Sequence, residues 1–315
     1  MNRNNHAAGD SHAGTAMYRA PSASATPMPP RACDCHTHIF GPASRYPYAA
    51  ERHYTPGEAS VRQLLALHDS LGIERVVIVQ PSPYGTDNRC TLDAVAALNA
   101  DGADRARAVV VVDGQTTGQA LRAMHAQGAR GVRINLETRG ANDPAAAGAA
   151  LREVAGRVAD LGWHVQMYTN PLVVVRLADI IDRLPVPVVL DHHAGMRVAD
   201  PAHQAVRGAL IDLIAGGNVY VKLSAPHRAS SQPNHADLQP LVDAFLGCRP
   251  DRMVWGTDWP HPGAWPGIKR NPATMEPFHP VDDSAALRLA RQWISDPAGF
   301  AAVLAGNPGR LYAFP

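Results

Sequence analysis

The sequence predicts an α/β chain folded as a (β/α)8 TIM barrel, and three observations predict it. Short β-branched runs alternate with amphipathic segments at a spacing of roughly 25 to 40 residues, the pattern of βαβ units in a parallel sheet. Eight such runs occur, enough to close a barrel. Polar residues capable of chemistry gather just after those runs, at the strand ends where barrels of this kind carry their active sites.

Taken in order, residues 1–30 are rich in Ala, Ser, Gly, Pro and Asn, hold no long apolar segment, and read as a disordered N-terminal tail without a signal peptide. Residues 31–315 form the barrel, with no linker to divide them. Strands are expected at 32–38, 75–80, 107–112, 130–135, 163–168, 187–192, 218–223 and 252–257. A helix over 58–72 keeps apolar residues at helical spacing, and Thr55-Pro56-Gly57-Glu58 reads as its capping box. Further helices are expected at 144–161, 171–184, 202–215, 235–247 and 284–304. A doubly wound open sheet would call for a glycine-rich GxGxxG turn after the first strand, and that turn is absent.

Composition narrows the function. With 315 residues, 46% of them hydrophobic, the chain can bury a large core. Its formal net charge of +1 argues against nucleic acid or an acidic membrane surface as partner. No apolar run approaches the length of a membrane span. The four cysteines (Cys33, Cys35, Cys90 and Cys248) are too irregularly spaced for a disulfide framework, which suits a reduced, cytoplasmic protein. No feature of the pattern fixes an oligomeric state.

The richest stretch is Asp34-Cys35-His36-Thr37-His38, at the end of the first strand. Strand alternation aims Asp34, His36 and His38 one way and turns Cys33 and Cys35 toward the helices. A His-x-His pair there can grip a metal or polarise a substrate oxygen. Later strand ends contribute Gln80, Ser82, Arg133, Arg139, Tyr168, His192, Lys222, Arg228 and Asp258. These guanidinium groups and imidazoles around one mouth point to a small anionic substrate. Asp258, in MVWGTDWPHP, stands where a carboxylate near imidazoles would take a proton from water. The loop 259–280, with six prolines, Trp259, Trp265, Lys269 and Arg270, is a candidate lid.

Together DCHTHIFGP, QPSPYGTDN, GVRIN, VVLDHHAG, WGTDWPHP and GNPGRLY resemble the amidohydrolase superfamily, in its branch of 2-pyrone-4,6-dicarboxylate lactonases. The likeness runs from about residue 32 to 315 and implies hydrolysis of a small anionic lactone by a (β/α)8 barrel. It makes Asp258 the base and assigns His36, His38 and His192 to the reacting carbonyl. Tyr54, Ser82, Arg133, Arg139, Tyr168 and Arg228 match the positions that hold the substrate. With Arg133 and Tyr168 at the fourth and fifth strand ends, a binuclear metal centre is disfavoured. The expectation is no cofactor. The alternative is one divalent ion, such as zinc, on His36, His38, His192 and Asp258, with His164 pointing to the same side about four residues deeper in its strand. Departures at Pro83-Tyr84 and His227 leave a sulfomuconolactone, or a sugar-acid lactone hydrolase or isomerase, as competing readings. A metal-dependent decarboxylase is the reading from another class, and a non-catalytic binding barrel has no use for a base at Asp258.

Overall fold

The computed structural model describes residues 28–137, 143–265 and 267–315, so Arg139 and most of the expected N-terminal tail lie outside the described residues. Eight parallel strands follow one another around the sheet: β1 (Cys33–Thr37), β2 (Arg75–Val79), β3 (Ala106–Val110), β4 (Ala129–Asn135), β5 (His164–Tyr168), β6 (Val188–Leu190), β7 (Val219–Ser224) and β8 (Met253–Gly256). Every expected strand is present, with its ends displaced by no more than two residues. The β-branched runs succeed because both faces of each strand are buried. Val76, Ile78, Val110, Val188, Leu190 and Val221 pack against the helices. Their alternates Val77, Val79, Val109, Val189 and Val254 meet Tyr220 and Tyr312 inside the barrel.

Alternation fails once, and the failure matters. The register of β1 against β2 shifts between Asp34 and Thr37, the signature of a bulge. Cys33 and Cys35 therefore sit in the inner cluster with Val77 and Val79, not against the helices as alternation alone implies. Asp34 faces outward instead, and His36, on the other side of the bulge, still reaches the barrel axis.

Asp34 is the clasp where the sheet closes. Its Oδ1 accepts from the backbone N of Thr257 at 3.0 Å and of His36 at 3.2 Å, and its Oδ2 accepts from Thr257 Oγ1 at 2.6 Å. His68, on the helix after β1, lies 3.3 Å from the same Oδ2. Beside this clasp Asp258 N donates to His36 O at 2.9 Å, and His38 N to Trp259 O at 2.8 Å. The first and last strands are thus joined by main chain and side chain together.

Helix starts follow local capping chemistry. The helix after β1 spans Val61–Leu71 and begins at Ser60, which shares a reciprocal capping box with Gln63. Thr55-Pro56 is not its start: those residues are extended and pair with Met275–Glu276. The expected long helix over 284–304 is split, because Asp296 caps a new helix at Pro297–Ala301 after Asp283–Trp293 has ended. Among the described residues no helix is long and apolar enough to cross a membrane.

Asp34→Ala should therefore loosen the seam and leave two backbone N–H groups without their acceptor. The expected loss is about 3 kcal/mol of unfolding free energy, read from urea denaturation. A loss below about 1 kcal/mol would show that the closure does not depend on this carboxylate.

Candidate active site

Strand β8 carries the decisive residue to the mouth. Val254 points inward, Gly256 and Asp258 follow at the same period, and Thr257 turns out to Asp34. Gly256 is required here: a Cβ would lie 2.7 Å from His36 N. Asp258 adopts the left-handed region at φ 71° and is fully buried.

The two oxygens of Asp258 have different tasks. Oδ2 accepts from Arg228 Nε at 3.0 Å and Nη2 at 2.8 Å. Among the described residues Oδ1 has no hydrogen-bond partner, and it lies 3.7 Å from Nε2 of His36, of His38 and of His192. Burial alone would raise this carboxyl, but Arg228 and the imidazoles hold it well below the usual carboxylate range. Burial pushes all three imidazoles down, so they are neutral at pH 7.

Each imidazole is oriented by its far nitrogen. His38 Nδ1 lies 2.7 Å from Val79 O, an acceptor only, so Nδ1 carries the proton and Nε2 presents a lone pair. His192 Nδ1 lies 2.9 Å from Ser224 Oγ. Strand alternation would aim Asp191 inward and His192 outward, but a left-handed backbone at His192, φ 49°, swings its ring back to the mouth.

Beneath His36 lies a buried charged layer. Asp191 Oδ1 is 3.2 Å from His36 Nδ1, and its Oδ2 meets Gln166 Nε2 at 3.0 Å and Arg133 Nη2 at 3.4 Å. Lys222 lies in the same layer, fully buried. Burial would raise the Asp191 carboxyl, but His36, Lys222 and Arg133 keep it well below the carboxylate range. Asp191 is the functional residue that the strand-end reading missed. Its signal was its place one residue after β6, where inward alternation aims it at the axis.

Above the layer opens a cavity of about 590 Å³. Of the residues expected to bind substrate, Tyr54, Ser82, Arg133, Tyr168 and Arg228 all line it, with His38, His192 and Asp258. Arg228, expected to hold substrate alone, is paired with the expected base. Tyr168 stands edge-on to His192 at 5.0 Å, with the Arg133 and Arg228 guanidiniums near its ring. His164 remains apart at the barrel bottom against Tyr312. Tyr84 is buried and accepts from Gly41 N, so of the two departures only His227 lines the cavity. Arg197, Arg270 and His279 line it as well, unforeseen as ligands because loops bring them there. The expected lid is tied down: Thr55 Oγ1 and Arg52 donate to Pro272 O, and Arg270 pairs with Glu276 over the Tyr54 ring.

The donor set fits a divalent cation. His36, His38 and Asp258 offer ligand atoms within 4.8 Å of one another, as do His36, Asp191 and His192. Both His36 Nε2 and Asp258 Oδ1 are buried without a partner, as groups facing a cation or a substrate would be.

The family model described as Amidohydrolase matches residues 33–314. The chain belongs to the amidohydrolase family. It is 36% identical to the 2-pyrone-4,6-dicarboxylate hydrolase of Comamonas testosteroni over 78% of this chain and 82% of that protein. It is 32% identical to the 4-sulfomuconolactone hydrolase of Rhizobium radiobacter over 95% and 97%. The crystal structure of a probable 2-pyrone-4,6-dicarboxylic acid hydrolase from Acinetobacter baumannii, with citric acid bound, superposes with a TM-score of 0.73 at 26% identity, covering 90% of this chain and all of that one.

The buried imidazoles set an acid limit on stability. His193 is held at about 4 and His164 at about 3, both by burial, and His36, His38 and His192 are lowered too. Below about pH 6.5 the unfolded chain binds protons that the native protein does not, so stability is full above that value and falls as pH drops toward the folded values. Each histidine contributes up to about 1.4 kcal/mol per pH unit in that window. Urea midpoints measured from pH 7 to pH 4 should decline throughout, and a flat series would contradict the buried neutral state.

Proposed function

We propose that this protein hydrolyses the ring ester of a small carboxylated lactone, 2-pyrone-4,6-dicarboxylate in the first instance. One observation carries the reading: Asp258 presents a partnerless carboxylate oxygen, 3.7 Å from each of three imidazoles, into a cavity walled by Arg133, Arg197, Arg228 and Arg270. Four guanidiniums against the Asp258 and Glu137 carboxylates leave that wall cationic with its histidines neutral. Such a wall favours a dianionic substrate. Both curated relatives act on acidic lactones by name, and the A. baumannii relative holds a tricarboxylic acid.

In this reading Arg133 is the main anchor for a substrate carboxylate, with Tyr54, Ser82 and Tyr168 placing the ring. Asp258 Oδ1 takes a proton from water while Arg228 holds Oδ2 and fixes the carboxylate plane. His38, with a lone pair at Nε2, aligns that water. His36 and His192 face the carbonyl oxygen as it gains charge. The hydroxide adds to the carbonyl carbon, the ring C–O bond breaks, and the protonated Asp258 returns its proton to the departing oxygen. Arg139, outside the described residues, is assigned to the substrate on the family likeness alone.

A metal-free site is the first reading, because Arg228 already neutralises Asp258 and the Arg133 and Lys222 charges lie close behind. The partnerless His36 Nε2 favours a second. One divalent cation, zinc for instance, held by His36, His38 and Asp258 with His192 adjacent, would supply Lewis-acid polarisation of the carbonyl. His227 in the cavity wall keeps a sulfonated muconolactone or a sugar-acid lactone as the alternative substrate.

Loss of the pyrone ultraviolet absorbance, followed before and after exhaustive chelation, tests the substrate and the two schemes together. No loss in either state, or after zinc is added, would overturn the assignment. Asp258→Asn should lower kcat by about 10³-fold or more while leaving KM within a few-fold. Arg133→Met should act mainly on KM, raising it about tenfold or more, since it removes a charge-assisted contact made in ground and transition states alike.

A further inference from the structure

Lys222 is sealed at the centre of the barrel, where burial pulls its pKa down and Asp191 opposes that pull, and neither the base nor the anion-binding wall uses it. Its surroundings are specific. Nζ donates to Gln166 Oε1 at 2.7 Å, stands 3.3 Å from His36 Nδ1 and 3.5 Å from Asp191 Oδ1. An ammonium group has three protons and no lone pair, and three atoms face it. Gln166 Oε1 accepts one proton and Asp191 Oδ1 faces the ammonium as an ion-pair partner, so the Nδ1 lone pair is the second acceptor, open only if His36 Nδ1 is unprotonated. A proton on Nδ1 would set N–H against N–H⁺ in a buried site, the unsatisfied arrangement that interiors avoid. The competing partner is Asp191 Oδ1, 3.2 Å from the same Nδ1, yet that oxygen accepts no hydrogen bond among the described residues.

We infer that Lys222 is a positioning residue that fixes the tautomer of His36, placing its only ring proton on Nε2, toward the reacting oxygen and Asp258 Oδ1. The pair His36 and His38 is then deliberately unlike. Val79 O draws the His38 proton to Nδ1 and leaves Nε2 an acceptor, while Lys222 occupies the His36 Nδ1 lone pair and leaves Nε2 a donor. One imidazole aligns water and the other donates to the oxyanion. The same choice bears on metal: an Nε2 that carries a proton must surrender it before it can ligate a cation. Lys222 thus biases the site toward the metal-free scheme, and removing it frees Asp191 to claim the Nδ1 proton and leaves Nε2 bare.

This inference rests on His36 facing the lactone carbonyl, but its first test needs no substrate and so fails or stands separately from that reading. In the metal-free, full-length protein labelled with ¹⁵N-histidine, long-range ¹H–¹⁵N correlation spectra, assigned with His36→Gln, should show His36 protonated at Nε2 and His38 at Nδ1. A His36 protonated at Nδ1 would overturn the proposal without any further variant. Lys222→Met should move the His36 signal to the Nδ1–H pattern, lower kcat about a hundredfold with KM within twofold, and tighten zinc binding, titrated calorimetrically, about tenfold. An unchanged tautomer, kcat or zinc affinity in a folded Lys222→Met protein would refute it. Should that variant not fold, the wild-type spectrum alone decides.

Discussion

The barrel closes by joining β1 to β8, and the site depends on that junction. Asp258 N donates to His36 O across it, so the carboxylate and the first imidazole are held by the same ladder that holds the sheet. Their separation is a property of the backbone, not of two flexible side chains meeting in solvent. Asp34 on the outer face and Asp258 on the inner face flank one seam, one carboxylate locking it and the other exploiting it. A site built on strand ends in this way is positioned more tightly than one built on loops.

Burying so much charge has a condition. Asp258 and Asp191 are both sealed from solvent, and each is ionised only because cations stand against it: Arg228 for the first, Lys222 and Arg133 for the second. An isolated buried carboxylate would cost several kcal/mol and would take up a proton instead. With Arg228 on one oxygen, Asp258 stays charged, and among the described residues the other oxygen has no hydrogen-bond partner. In the proposed mechanism, low basicity is the consequence, and the neighbouring neutral imidazoles offset it by meeting the water and the developing oxyanion.

The upper part of the cavity follows a different logic. There the segments beyond the strands supply Arg197, Arg270, His227 and His279, which set the shape and charge of the wall. The two curated relatives described above differ in the lactone they are named for. Chemistry carried on strands and selectivity carried on loops is the division that lets one barrel serve several acidic lactones.

Much was legible from the chain itself. Short, near-continuous apolar runs rich in β-branched residues marked the strands, since most of them are buried on both faces. Asp258, His36 and His38 followed from their places at strand ends, and the family likeness placed Tyr54. What the sequence could not determine were relations set by geometry between distant residues. The β1 bulge leaves Cys33 and Cys35 inward and Asp34 outward while His36 still faces the axis, a local shift of register that period-2 counting cannot detect. Ser60, not Thr55, capped the first helix, because Thr55-Pro56 was drawn into pairing with Met275–Glu276 more than two hundred residues away. Asp191 and Gln166 read singly as ordinary strand residues, and Lys222 as a charge at the mouth, where the structure instead seals it below. Only the folded barrel brings them under His36, where burial removes the water that would otherwise satisfy each charge and leaves them to satisfy one another.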